Sequence, residues 1–393
     1  MKPLIKWAGG KSNEIKQIEK IIPNSFDRYI EPLFGGGAVF FHLEPKKAII
    51  NDTSKELMLI YKFLSNSWHR EKFKQELYDY VNYWERIEQY LKIFGSMFLD
   101  LYTQYKKDEI DDRKLKIEIK RIFEEQLTKF NGLFQNKFCI DRIHLQETMQ
   151  NNLIDKLQRI KKDVDPENKF SNESIKDNIE TAFRSGFYIH FREMMNREKK
   201  GLIKISDEKK VANYYFIREF CYGGMFRFND SGDFNVPYGG MNYNRKDFRK
   251  KVDYIFSEMV RRLLKNAIIE NIDFEKLLEK YEPNENDFIF LDPPYDTEFS
   301  EYEENPFTKK DQERLAEVVS NLKSKFILII KETPFILNLY KNKKGIKISS
   351  FGKTYIYNIR GRNVRNVRHL IIHNLENKQN NLISFAKKLQ LQV

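Results

Sequence analysis

Apolar residues along this chain are spaced in two different ways. In the flanks they form short unbroken runs: Ala48-Ile49-Ile50, Phe288-Ile289-Phe290-Leu291, Phe326 to Ile330 and Leu370-Ile371-Ile372. Runs this short, apolar at every position, predict strands buried on both faces, as in a mostly parallel sheet. Helical patterns follow several of them, for instance Thr308 as an N-cap ahead of Asp311 to Leu322. Strands alternating with helices predict an α/β domain. In the middle of the chain, apolar residues recur every three or four positions, as at Ile119, Ile122, Phe123 and Leu127 with Phe130. That spacing predicts amphipathic helices. Over 61–215 only Pro166 of the eleven prolines occurs, with Gly95, Gly132, Gly186 and Gly201 of the seventeen glycines. The expected organisation is therefore one α/β domain built from 1–60 and 241–393. It is interrupted by a helical insertion, 61–240, that contains a polar loop at 163–174 and ends in a β-hairpin near 218–240.

Composition narrows the class. At about 150 residues per domain, 393 residues suit two or three domains. With 41% hydrophobic and 32% charged residues the mix is globular. No stretch approaches the ~20 apolar residues of a membrane helix, and the opening Met1-Lys2-Pro3-Leu4-Ile5-Lys6 has no apolar signal region. No membrane partner and a cytoplasmic location are expected. Two cysteines, Cys139 and Cys221, cannot build a disulfide framework and suit a reducing compartment. Six scattered histidines argue against a structural zinc site, so no metal is expected. Lys and Arg exceed Asp and Glu by 69 − 57 = +12, which favours a polyanionic partner, nucleic acid first.

Four strings could carry chemistry. Lys6-Trp7-Ala8-Gly9-Gly10-Lys11-Ser12 offers close backbone approach beside a cation, but Ile5 stands where a phosphate-binding P-loop needs Gly. Tyr29-Ile30-Glu31-Pro32-Leu33-Phe34-Gly35-Gly36-Gly37-Ala38 reads as strand, glycine loop and helix start. Phe40 replaces the third glycine of a dinucleotide fingerprint, and Glu31 suits a cation better than a phosphate. Asp52, past the Ala48 run, sits where a ribose diol is usually held, and equally where a helix cap would sit. Asp292-Pro293-Pro294-Tyr295 ends a buried run. A carboxylate and a proline carbonyl there can accept both hydrogens of a planar amine, and Tyr295 can stack on the ring that bears it.

In this order the strings resemble the Dam-type (D12, alpha-ordered) adenine-N6 DNA methyltransferases. The resemblance extends to Cys221-Tyr222-Gly223-Gly224-Met225-Phe226-Arg227-Phe228-Asn229 with Gly232 to Gly239, which looks like the family's DNA-contacting hairpin. It also includes Asn305-Pro306-Phe307-Thr308 with the helix after them, and covers 1–60 and 210–375. It implies a Rossmann-like α/β methyltransferase sheet, mostly parallel with one antiparallel strand, and an insertion that carries target recognition. It implies S-adenosylmethionine as methyl donor, held by Trp7, Ala8, Gly9, Gly10, Lys11, Asp52 and Asp292 and by the loop residues Glu31, Pro32, Phe34, Gly35 and Gly37. Asp292, Pro293, Pro294 and Tyr295 become the catalytic motif. Tyr222, Arg227, Asn229 and Pro237 become the DNA contacts, on double-stranded DNA with a flipped adenine. A monomer is expected, and a cognate restriction endonuclease is left open. RNA adenine methylation, or a catalytically idle nucleic-acid-binding protein, are the alternatives.

Two departures bear on the target sequence. Gly223 stands where the family usually has Asn, and the insertion is longer than in compact members. Together they leave GATC unsupported as the site. Arg227 is the residue expected to read a guanine by bidentate contact. Arg227→Ala is expected to relax base preference when methylated sites are sequenced; uniform weakening at every site would assign Arg227 to a phosphate instead.

Overall fold

The computed structural model describes residues 1–7, 9–127, 136–164, 170–225, 227–295, 307–354 and 366–375. The chain divides into two compact units, Met1–Asn66 with Glu258–Val393, and Ser67–Ser257.

The first unit is built on a seven-stranded sheet: β1 Tyr29–Glu31, β2 Ala48–Asn51, β3 Ala267–Glu270, β4 Phe288–Leu291, β5 Lys325–Lys331, β6 Lys347–Thr354 and β7 Asn366–His373. The spatial order is β3-β2-β1-β4-β5-β7-β6. β3, β2, β1, β4 and β5 run parallel, and β7 is antiparallel to both β5 and β6. The mostly parallel sheet with one reversed strand is thus the one the sequence implied. β1, β2 and β4 are buried at every position, which is why Ala48–Ile50 and Phe288–Leu291 read as unbroken apolar runs, while β1, Tyr-Ile-Glu, buries a carboxyl at its end. On one face Ile30, Ile49, Ile289, Leu328 and Leu370 pack against Leu277, Leu315 and Ile336 of the flanking helices. On the other, Tyr29 and Phe288 meet at 5.8 Å, and Phe34, Phe40, Phe41 and Tyr61 form an aromatic cluster. Burial of this kind stabilises by about 25 cal/mol per Å² of apolar surface.

Two strands escape the apolar-run signal. β3 lies at the sheet edge with Ile268 half exposed, and β6, at the other edge, is the polar stretch Lys-Ile-Ser-Ser-Phe-Gly-Lys-Thr. Thr308 caps the helix Lys309–Ser320 through a reciprocal capping box with Asp311. β1 has β2 on one side and β4 on the other, so the order of connection reverses there. Ligands of such sheets sit at the carboxyl ends of the strands flanking that reversal. The loops leaving β1 and β4 are the glycine loop and Asp292–Tyr295.

The second unit is helical: Ser67–Lys106, Asp112–Leu127, Arg142–Arg159, Asn172–Lys199, Asp207–Phe220 and Phe248–Ile255 are its long helices. Its boundaries lie at 66/67 and 257/258, not at 60/61 and 240/241. The preceding helix runs on to Ser65. Phe248 packs on Phe216 and Phe220, and Arg249 pairs with Glu85, which keeps 241–257 with the insertion. The polar stretch 163–174 is partly helical: a π-turn continues to Val164, and Ser171 caps the next helix. Residues 165–169 between them lie outside the described residues, as does Phe130. Aromatic residues at 184–192 prove to be core. Phe187, Tyr188 and Phe191 are buried, and Arg184 lies over the Trp84 ring while donating to the Trp84 carbonyl.

The expected hairpin is present as isolated antiparallel bridges, Cys221 with Tyr238 and Phe228 with Phe234, and not as a regular ladder; 218–220 still belong to the helix Asp207–Phe220. Side chains of the helix Asn172–Lys199 supply the missing hydrogen bonds. The Tyr188 hydroxyl and Arg192 donate to the Val236 carbonyl, and Asn196 exchanges two bonds with the Phe234 backbone. These residues recur every four positions, on one face of that helix.

Gly186 lets this helix approach its neighbour. A Cβ there would lie 2.7 Å from the Met149 Cα. Gly186→Ala is expected to destabilise the protein by about 1–3 kcal/mol, as overpacking against backbone does. Urea denaturation measures it, and an unchanged midpoint would refute the close contact.

Candidate active site

Three loops meet where the sheet order reverses. The first is the N-terminal turn. Gly9 has φ +77°, and Gly10 donates to the Trp7 carbonyl at 3.3 Å, bending the chain into the helical turn Lys11–Asn13. The second is the glycine loop after β1. Gly35 has φ +49°, and a Cβ on it would lie 2.7 Å from the Trp7 indole. Gly37, at φ +64°, precedes the helix Ala38–Leu43, and a Cβ there would enter the Phe34 ring. Only glycine satisfies both the backbone and the crowding. Trp7 therefore lies against the glycine loop, which joins two strings far apart in local sequence. The third loop is Asp292–Tyr295.

Lys11 joins the first loop to the third. It is 2% exposed. Its ammonium donates to the Asp292 carboxylate, to the Gly9 carbonyl at 3.0 Å and to the Tyr295 hydroxyl at 3.1 Å. Asp52 joins the second loop to β2. One of its oxygens accepts the Gly35 N–H at 2.8 Å and the other the Ser54 N–H at 2.9 Å. Asp52 thus braces the glycine loop and the turn that leads into the helix Lys55–Ser65, whose N-cap is Ser54 and not Asp52. Glu31, at the end of β1, is buried and accepts from the Tyr29 hydroxyl at 2.7 Å.

The site sets three carboxyl groups, Glu31, Asp52 and Asp292, against the Lys11 ammonium, which pairs with Asp292 alone of the three. Burial, opposed by the Tyr29 hydroxyl and reinforced by Asp292 and Asp52, pushes the Glu31 carboxyl well above the usual range. Burial raises Asp52 despite its backbone donors, and raises Asp292 despite Lys11. Such a pocket favours a ligand that brings positive charge. A sulfonium with an amino group fits this donor set.

Of the residues expected to hold the donor, Trp7, Gly9, Gly10, Lys11, Glu31, Pro32, Phe34, Gly35, Gly37, Asp52 and Asp292 all lie on these three loops or at the strand ends that carry them. Ala8 lies outside the described residues, as do Asn305 and Pro306. The hairpin residues Tyr222, Arg227, Asn229 and Pro237 are exposed, between buried Cys221, Phe234, Val236 and Tyr238; Phe226 is outside the described residues. Arg227 donates to the Asn235 amide oxygen at 2.9 Å. The Asn229 amide oxygen closes the tip by accepting from Ser231 and Asp233. Gly223 has φ +65° and Gly224 φ +67°, as the central pair of a tight turn needs, so the Asn-to-Gly departure keeps a left-handed residue in place. In the basic stretch 353–368, Lys353 ends in β6 and Arg368 belongs to β7; 355–365 lie outside the described residues.

Four supporting residues had no individual signal in the sequence. Buried Asn51 donates to the carbonyls of Pro32 and Ile272, tying the glycine loop to the end of β3. Buried Gln312 donates to the Pro294 carbonyl at 2.7 Å and fixes the second proline. Buried Glu14 pairs with Lys353 and, at 3.3 Å, with His369. Gln312 lies within the helical pattern after Thr308, and Asn51 directly follows the Ala48 run. Glu14 and His369 come from opposite ends of the chain, which no local pattern could join. Among the described residues no group of His, Cys, Asp and Glu is arranged to hold a metal ion, and no helix is long and apolar enough to cross a membrane.

Comparison with known proteins agrees with this geometry. The family model described as D12 class N6 adenine-specific DNA methyltransferase matches residues 7–187 and 149–355. The chain is 25% identical over 380 residues to the Type II methyltransferase M.CviBI of Paramecium bursaria Chlorella virus NC1A, covering 95% of this chain and 100% of that protein. It is 27% identical over 340 residues to the Type II methyltransferase M.MjaIII of Methanocaldococcus jannaschii, covering 82% and 80%. It is 22% identical over 374 residues to the Type II methyltransferase M1.LlaDCHI of Lactococcus lactis subsp. cremoris, covering 90% and 93%.

Glu14 gives the site a pH signature. Burial alone raises its carboxyl, but His369, Lys11 and Lys353 outweigh that and hold it down at about 2, against 4.5 ordinarily. A depressed carboxyl contributes stability that is full above its unfolded pKa and is lost as pH falls through the folded one. The stability difference between wild type and Glu14→Gln is therefore expected to shrink between pH 4.5 and 2 in chemical denaturation. A difference that stays constant over that window would contradict the assignment.

Proposed function

Because the chain belongs to the D12 class of N6 adenine-specific DNA methyltransferases, we propose that it methylates the N6 amino group of an adenine flipped out of a specific site in duplex DNA. The observation that carries this reading is the joining of Lys11, Asp292 and Tyr295 at the carboxyl end of β4, beside the Trp7-backed glycine loop.

The adenine amino nitrogen is a weak nucleophile because its lone pair is delocalised into the ring. Asp292 and the Pro293 carbonyl accept its two hydrogens and draw it towards tetrahedral geometry, with the acceptors held in place beforehand. Lys11 pairs with one oxygen of Asp292, Oδ1, and the amine is proposed to use the carboxylate's remaining acceptor capacity. Gln312 keeps Pro294 fixed. Tyr295 stacks on the flipped ring. S-adenosylmethionine, when bound, supplies an electrophilic methyl on a sulfonium that leaves as a neutral thioether. Glu31 and Asp52, with Trp7 and the glycine loop, are the residues proposed to hold it. Methylation gives the nitrogen a surplus proton, and Asp292, already its hydrogen-bond acceptor, takes it. The inserted unit, with Tyr222, Arg227, Asn229 and Pro237, is proposed to recognise the target. A place in a restriction-modification pair is supported by the Type II relatives.

Expression in a bacterium lacking adenine methylation, followed by modification-sensitive sequencing, tests the reading. Methylated adenine confined to one short motif is expected. Asp292→Ala should lower transfer about a thousandfold or more while folding persists. Turnover near wild type in that variant would sink the proposed chemistry.

A further inference from the structure

Behind the catalytic loop lies a buried charged cluster that the proposed chemistry does not use. Glu14 is 4% exposed and His369 is fully buried. Glu14 follows the turn that carries Lys11, and one of its oxygens pairs with Lys353 of β6. Its other oxygen is 3.3 Å from the His369 Nδ1. His369 lies in β7, paired with Phe351 of β6 and Lys331 of β5. Its ring stands edge-on to the Tyr295 ring, with centroids 5.3 Å apart at 74°, and meets the Phe351 ring at 5.6 Å. The aromatic ring that ends the catalytic motif thus rests on a side chain from a strand two places away in the sheet.

We propose that His369 and Glu14 are positioning residues for methyl transfer: His369 sets the Tyr295 ring at the angle needed to stack on the target base, and Glu14 fixes the imidazole that does so. This deepens the proposed function and rests on it. Three observations support the assignment. Edge-to-face ring pairs have a preferred geometry, so the imidazole restrains where the tyrosine ring can turn. A carboxylate oxygen 3.3 Å from the His369 Nδ1 favours a proton on that nitrogen and restrains the ring electrostatically. The same Glu14 lies close enough to Lys11 and Asp292 to act on both electrostatically. One buried carboxylate therefore steadies Tyr295 through His369 and holds the Lys11 turn against the sheet through Lys353.

The test uses the full-length protein and the DNA motif that sequencing identifies, in single-turnover assays at saturating S-adenosylmethionine and DNA. His369→Gln keeps an N–H for Glu14 but deprives Tyr295 of its ring neighbour. Its transfer rate is expected to fall about tenfold or more, because rate depends steeply on how reactants are placed. Glu14→Gln, which is isosteric, is expected to fall by a smaller factor of about five. Donor affinity, measured by calorimetry, should stay within about twofold in both. Fluorescence of 2-aminopurine at the target position should report weaker stacking in His369→Gln. Wild-type rates in both folded variants would overturn the proposal, as would a loss of donor affinity large enough to account for the fall in rate. If wild-type protein itself leaves DNA unmethylated, the proposed function fails instead, and the two failures are told apart by that control.

Discussion

One buried ammonium beside a carboxylate it pairs with governs the site. Lys11 is held at once by Asp292, by Tyr295 and by the backbone of its own turn. Glu31 and Asp52 lie near enough for their charges to be felt, and burial raises all three carboxyls. Charges out of water are costly unless they are paired. The arrangement therefore stores a demand for positive charge that the protein only partly meets. A cationic ligand relieves that demand at Glu31 and Asp52. An amine with hydrogens to donate would relieve it at Asp292. The proposed donor and acceptor chemistry are thus answers to the same imbalance.

Much of the sheet could be read in advance because parallel strands leave a strong mark. β2, β4 and β5 carry the buried runs Ala48–Ile50, Phe288–Leu291 and Phe326–Ile330, each apolar without interruption. The mark fades at the edges. β3 exposes Ile268, and β6 alternates polar residues with few apolar ones. The lower boundary of the insertion was blurred for a related reason. The helix Phe248–Ile255 is amphipathic like the α/β flank that follows it, and only its packing on Phe216 and Phe220 assigns it to the other unit.

The site divides along the same line. Residues legible in sequence are those whose job is done by the local chain: a glycine where φ must be positive, a proline that offers a carbonyl, a cap before a helix. Gly35 and Gly37 are the plainest cases, since a side chain at either would strike Trp7 or Phe34. Residues that were missed work by reaching across the fold. Glu14 needs Lys353 and His369, and Gln312 needs a proline on another loop. Partners set by topology leave no periodicity to read.

The hairpin of the inserted unit shows one more division. Its returning arm is held at Phe234 and Val236 by Tyr188, Arg192 and Asn196, all through main-chain atoms. Of its outward residues, Arg227 and Asn229 brace the tip through Asn235 and through the Ser231 and Asp233 N–H groups, while Tyr222 and Pro237 lie exposed beside it. A surface anchored by its backbone is free to change such exposed side chains without losing its shape. Substitutions at Tyr222 and Pro237, as proposed DNA contacts, are then filtered by what they touch outside the protein and not by whether the protein still folds. A lineage under pressure to acquire a new address on its partner could explore that face one residue at a time, while the scaffold behind it stays still.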